Sequence, residues 1–271
     1  MLLLALLVST LAGPPAAARV TPASEASRTV VQSFDGIAAL DNCSASVVRW
    51  PGSRPRDRAL VLTNGHCHGP LGAREVIVDQ PVRRPVTLLD EDASHRVTLH
   101  TRRLLYATMF RTDVALYDLR APYRGLLTRY GVAPLTVAAE PAPDGSRLAV
   151  VSGYWKQTYR CDLNGFVHRL REDRFDWWAS LRYSDDGCHI IDGTSGSPVI
   201  RPGGRRVLGV NNTYNEDGER CTLDNPCEED RAGRISVHHG RGYAQQTWWL
   251  TTCVRADRTL DLDTPGCRLP G

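Results

Sequence analysis

Three short segments hold the side chains that could carry covalent chemistry. Leu62-Thr-Asn-Gly-His-Cys67 ends an apolar run on His66. Thr112-Asp-Val-Ala-Leu-Tyr-Asp-Leu119 puts Asp113 at the start of another, and Gly193-Thr-Ser-Gly-Ser-Pro198 is a glycine-bounded turn that presents Ser195. A serine hydroxyl is a weak nucleophile at neutral pH and needs an imidazole beside it to take its proton. The imidazole in turn needs a carboxylate on its other nitrogen, to fix the tautomer and to stabilise the cation that forms. Glycines next to the serine free backbone N–H groups to face a developing oxyanion. Alone, His66 reads as a hydrogen-bonded structural histidine, Asp113 as a strand cap with Asp118 as its rival, and Ser195 as a loop residue. Together, in matching contexts, they point to nucleophilic catalysis.

Such residues must be held by something rigid, and the dominant period along the chain is two. Arg58–Thr63, Glu75–Val78, Arg96–His100, Val114–Tyr117 and Leu148–Val151 are short β-rich runs, separated by turn signals such as Pro51-Gly52, Gly69-Pro70 and Pro143-Asp144-Gly145. The clearest hairpin runs from Ser197–Arg201 through Pro202-Gly203-Gly204 into Arg205–Val210. Helical patterning is scarce, with one candidate at Trp248–Val254. Many short strands with turns between them predict an all-β protein, an antiparallel barrel pair or a sandwich. No internal repeat or low-complexity tract interrupts the pattern.

The chain has 271 residues, a net charge of +3 and 42% hydrophobic residues, which excludes a disordered chain and gives no footprint for nucleic acid. Its basic residues are almost all arginine, Lys156 being the lone lysine. Met1–Ala12 is apolar and Ala16-Ala17-Ala18 supplies small residues, so residues 1–18 read as a secretory signal. Residues 19–30 read as a pro-segment or loose terminus, and 31–271 as the working domain. Export fits the eight cysteines, which pair in an oxidising compartment.

Thr-Asn-Gly-His66-Cys, Thr-Asp113-Val-Ala-Leu and Gly-Thr-Ser195-Gly-Ser-Pro resemble the three catalytic motifs of chymotrypsin-fold, trypsin-like serine proteases. The last is nearest the bacterial secreted branch that includes glutamyl endopeptidases. The order His, Asp, Ser agrees, whereas the Gly-x-Ser-x-Gly of α/β-hydrolases fails at Ser197. The resemblance spans roughly Asn42 to Val254. It implies two six-stranded antiparallel β-barrels, approximately 31–135 and 136–271, with the active site between them and a short C-terminal helix. It further implies His66 as base and then acid, Asp113 as its orienter, Ser195 as nucleophile, and the N–H groups of Gly193 and Ser195 as the oxyanion hole. Cys43 and Cys67 would form the family's bridge beside the histidine. The remaining cysteines pair by proximity as Cys161–Cys188, Cys221–Cys227 and Cys253–Cys267. A disulfide-bonded Cys67 is no metal ligand, so no metal is expected at His66, Cys67 and His68, and no cofactor.

Departures from the family bear on specificity. Thr194 replaces the aspartate that traps a new N-terminus in trypsin-like zymogens. His189 stands where basic-specific relatives carry aspartate, so cleavage after lysine or arginine is not expected. Asn211 stands where the glutamyl branch has a histidine, and Tyr214 where a pocket-wall glycine is common. His189 and Arg241 would suit an acidic side chain, which Asp192 would oppose. The substrate-contacting candidates are therefore His189, Asn212 and Tyr214. The expectation is a secreted, monomeric serine endopeptidase acting on proteins or peptides, with no nucleic-acid partner and no membrane association after signal cleavage. The alternative is a catalytically silent binding protein on the same fold, with Tyr214 obstructing its pocket.

Overall fold

Alternating apolar residues can fill two cores at once only if a strand is covered on both faces, and this chain uses its strands in that way. The computed structural model describes residues 31–184 and 187–271; the expected signal segment 1–18 and the segment 19–30 lie outside the described residues. The first half contains β1 (Ile37–Ala39), β2 (Ser44–Arg49), β3 (Arg58–Thr63), β4 (Val76–Pro81), β5 (Pro85–Leu89), β6 (His95–Thr108) and β7 (Val114–Pro122). Helix α1 (Tyr123–Tyr130) and the short β8 (Leu135–Val137) follow. Strands β1, β5, β6, β7, β3 and β2 pair in that order and β2 returns to β1, closing a six-stranded antiparallel barrel.

The second half contains β9 (Arg147–Ser152), β10 (Gln157–Glu172), β11 (Phe175–Tyr183), β12 (Pro198–Ile200), β13 (Arg206–Val207), β14 (Gly209–Tyr214), β15 (Cys227–Glu229), β16 (Ile235–Val237), β17 (Gly242–Gln246) and the single-turn helix α2 (Trp248–Thr251). Its ring runs β11, β17, β14, β12, β9, β10 and closes where β10 pairs with β11. The hairpin after Ser197 forms with Pro198 opposite Val210 and Val199 opposite Gly209. Within it, β13 turns away and pairs in parallel with β8 of the first sheet. All-β architecture with two closed rings is the chymotrypsin-type arrangement.

Strand β3 shows the double use of side chains. Ala59 and Val61 point into the first barrel with Val47, Ala115 and Tyr117. Leu60 and Leu62 point outward into a second core with Val48, Leu116, Val151 and Val210. That outer core joins the halves, and the chain end helps to build it: Trp249, Leu250, Cys253 and Leu269 pack there. Each large side chain so buried stabilises the fold by about 1.5–3 kcal/mol. Arg258 Nε donates to Asp57 Oδ2 at 2.7 Å, and the Tyr106 hydroxyl donates to the Pro270 carbonyl at 2.8 Å.

Two elements are absent from the sequence reading. Helix α1 is short and carries Gly125 and Thr128. It is set by the αL cap at Gly131, whose N–H bonds Leu127 O at 3.0 Å, and by the burial of Leu126. The β10–β11 hairpin is far longer than any run visible in the sequence, because β10 crosses from one neighbour to another along its length, pairing with β9, β11 and β15.

The halves approach closely at Gly153, where a Cβ would sit 2.0 Å from the Ala38 carbonyl oxygen of β1. Gly153→Ala is therefore expected to lower stability by about 3 kcal/mol or more, read as a shift of the urea midpoint. An unchanged midpoint would mean that the halves are not in contact there.

Candidate active site

His66 lies three residues beyond β3, and Asp113 immediately precedes β7, so neighbouring strands of the first barrel deliver both. Asp113 is fully buried and holds its partner twice. Its Oδ1 accepts the His66 backbone N–H at 3.0 Å and its Oδ2 lies 2.6 Å from His66 Nδ1. Burial opposes protonation of the imidazole, but the charge and hydrogen bond of Asp113 outweigh it, and the His66 pKa is raised above its ordinary value. Asp118, the rival carboxylate, is bound instead by Arg102, whose Nε lies 3.1 Å from Oδ2.

Ser195 is presented by a turn between β11 and β12. Gly193 and Gly196 both have φ of +79°, a left-handed backbone that glycine adopts freely. A Cβ at Gly196 would also lie 2.1 Å from Ser44 O and from Thr63 Oγ1, so the serine turn is pressed against the first barrel. Two residues that the sequence did not single out fasten it there. The Ser44 N–H donates to Ser195 O at 2.8 Å, and the Ser44 hydroxyl donates to Gly193 O at 3.2 Å. Fully buried Asn64 donates from Nδ2 to Asp113 O at 2.9 Å and accepts the Gly196 N–H on Oδ1 at 2.5 Å. The only sequence signal for Asn64 was its place inside the histidine segment.

His66 and Ser195 line one cavity of about 160 Å³. The Ser195 hydroxyl donates to the Asn212 carbonyl at 3.1 Å. Asn212 and Tyr214 line the same cavity, whereas His189 is exposed and does not; Ile190, Ile191 and Asp192 take the wall beside it. Arg241 likewise faces Glu228, with Nη1 3.8 Å from Oε1, and is not among the lining residues. The acid-suited pair is thus absent from the cavity lining; Arg241, just before β17, is directed toward Glu228 of β15. Burial, followed by the charges of Asp192 and Glu216, pushes the Tyr214 phenol up to about 12. Asn211 is already committed, accepting from the Tyr183 hydroxyl at 3.1 Å and donating to Thr194 Oγ1 at 3.0 Å.

Two acids enter the cavity unannounced. Glu172, at the end of β10, accepts the Thr213 hydroxyl on Oε2 at 2.6 Å and the Asp224 N–H on Oε1 at 3.2 Å. Burial pushes its carboxyl up to about 7. Asp224 sits in the loop closed by Cys221–Cys227; burial and then the charge of Asp192 raise its pKa too. The other disulfides join Cys43 to Cys67, Cys161 to Cys188 and Cys253 to Cys267. The sulfurs of Cys43 and Cys67 lie close to His66, but bonded to each other they offer no thiolate to a metal.

The chain belongs to the trypsin-like peptidase domain family, whose pattern it matches over residues 43–210. It is a serine-type peptidase, a hydrolase of peptide substrates. Among solved structures it is similar to the MamO protease domain of Magnetospirillum magneticum, with a TM-score of 0.51 at 12% identity over 84% of this chain and 98% of that one. The active form of the Rv3671c protease of M. tuberculosis gives a TM-score of 0.49 at 16% identity, over 97% of both chains. At these identities the likeness is one of fold. Comparison with curated protein sequences finds no significant match.

Asn64→Ala would leave the Asp113 carbonyl without its Asn64 donor, at about 1–3 kcal/mol, and the Gly196 N–H with only the Asn211 carbonyl as acceptor. The expected outcome is a lower melting temperature together with a fall in kcat/KM of at least tenfold on any peptide the enzyme cleaves. Full activity in a folded variant would show that the serine turn is positioned without it.

Proposed function

We propose that the peptidase is a secreted endopeptidase that works through an acyl-enzyme on Ser195, with His66 and Asp113 completing a triad. The observation that carries this reading is the double hold of Asp113 on His66, in the cavity that Ser195 also lines. In the reaction the Ser195 hydroxyl leaves Asn212 O, its acceptor at 3.1 Å, for His66 Nε2. Ser195 Oγ then bonds to the scissile carbonyl carbon while its proton passes to Nε2, and the cation is stabilised by Asp113. The N–H groups of Gly193 and Ser195 take the oxyanion, a role supported by the left-handed backbone of Gly193 beside the nucleophile. Collapse breaks the C–N bond, with the Nε2 proton going to the leaving amine. Water repeats the sequence and frees Ser195. Each proton has a named donor and acceptor.

Four disulfides support an exported protein, with residues 1–18 as its signal and 31–135 and 136–271 as its two halves. Among the described residues no helix is long and apolar enough to cross a membrane.

The first measurement is fluorophosphonate labelling of purified protein, with peptide mapping of the adduct. Label is expected at Ser195, lost in Ser195→Ala and in His66→Ala, with peptide hydrolysis down by about 10⁴-fold or more in both. Absence of label on the processed, disulfide-intact protein would instead favour a silent binding protein. A second measurement is the pH profile. His66 acts as a base only when neutral and its pKa is raised, so the rising limb of kcat/KM is expected above about 6.5, the ordinary imidazole value. A profile already flat at pH 6 would contradict the raised pKa.

A further inference from the structure

The cavity beside Ser195 is lined by carboxyl groups that the family position does not supply. Glu172, Asp192 and Asp224 all line it, no lysine or arginine does, and His66 is its one potential cation. An acidic set alone is no site, but a second observation points to a ligand. Asn212 is 4% exposed and lines the same cavity, yet neither its Oδ1 nor its Nδ2 has a hydrogen-bond partner. An unpartnered buried amide costs stability until something occupies it. Each Glu172 oxygen accepts one hydrogen bond from the protein and keeps a lone pair free. Apolar Ile190 and Trp177 complete the wall, a surface suited to a methylene stem below a charged head.

We infer that this cavity selects a cationic side chain, arginine or lysine, on the acyl side of the scissile bond, with Glu172 and Asp224 as the specificity-determining residues. The inference rests on the proposed peptidase reading of Ser195. Negative charge reaches the substrate from a new direction: not from the His189 position, which is exposed, but from the end of β10 and from the disulfide-closed loop. The loop is held to this task by its backbone. The Asp224 N–H bonds Glu172, and the Asp224 carbonyl accepts the Glu216 N–H at 3.0 Å. The Asn212 Oδ1, which has no partner in the protein, adds an acceptor for a guanidinium or ammonium N–H. An acidic substrate side chain would meet three carboxyl groups and only one imidazole.

The test uses matched fluorogenic peptides that carry arginine, its neutral isostere citrulline, or glutamate in each of the two positions before the scissile bond. The readout is a ratio of kcat/KM values, which a general loss of folding or catalysis leaves unmoved. Wild-type protein is expected to prefer arginine over citrulline by tenfold or more at one of these positions, with glutamate poorest. Glu172→Gln and Asp224→Asn should each cut that ratio at least threefold, and the double variant should bring it near one. A wild-type ratio near one, a preference for glutamate, or a ratio indifferent to both substitutions would overturn the inference. Fluorophosphonate labelling of the same preparation separates the two failures. Label at Ser195 without a cation preference sinks the specificity alone, and no label at all sinks the catalytic reading with it.

Discussion

One carboxamide sets the geometry on which the rest depends. Asn64 leaves the histidine segment, reaches the carbonyl of Asp113 with one end and the N–H of Gly196 with the other. The first contact lies within the first barrel and the second crosses to the other, so a single planar group fixes the carboxylate's loop against the serine's loop. It is fully buried, where a hydrogen bond has no water to replace it and a misplaced partner is costly. Ser44 adds two further bonds to the same turn, and Gly196 has no side chain that could hold the surfaces apart. Two barrels that share an apolar layer could slide over each other. Directional bonds at the layer's edge remove that freedom.

The carboxyl groups around His66 divide by environment. Asp113 is buried deeper than Glu172, yet it accepts from both the backbone and the ring of His66 and is matched to a developing cation. Glu172 receives a hydroxyl and one backbone N–H, too little to offset burial, which pushes its carboxyl up to about 7. On the proposed reading, acids in such different surroundings serve different tasks in one site: Asp113 orients a base, and Glu172 receives a charge from outside.

The fold was legible wherever a strand announces itself over its whole length. Arg58–Thr63 coincides with β3, and the turn at Pro202-Gly203-Gly204 separates strands that do pair. Helix α1 was not legible, since Tyr-Arg-Gly-Leu-Leu-Thr-Arg-Tyr has weak propensity and is held by a cap and by Leu126. The three segments picked out by residue type meet around one cavity, because their chemistry is written in adjacent residues. What surrounds them is not written that way. Glu172 and Asp224 belong to no motif in the sequence, and the end of β10 and the loop closed by Cys221–Cys227 bring them to the cavity. His189 and Arg241 drew notice through position in a family pattern, and the local path of the chain turned them elsewhere. Register and loop course are tertiary properties, and single residues do not encode them.

The tie between Tyr106 and Pro270 spans 164 residues. Contacts of such sequence separation carry a loop-closure cost and form late in folding. The layer between the halves is therefore sealed in part by a segment far away in sequence, at Leu269 and Pro270. That segment belongs to neither ring of strands, and its loss would open to water the apolar face that Leu60 and Leu62 of β3 turn outward.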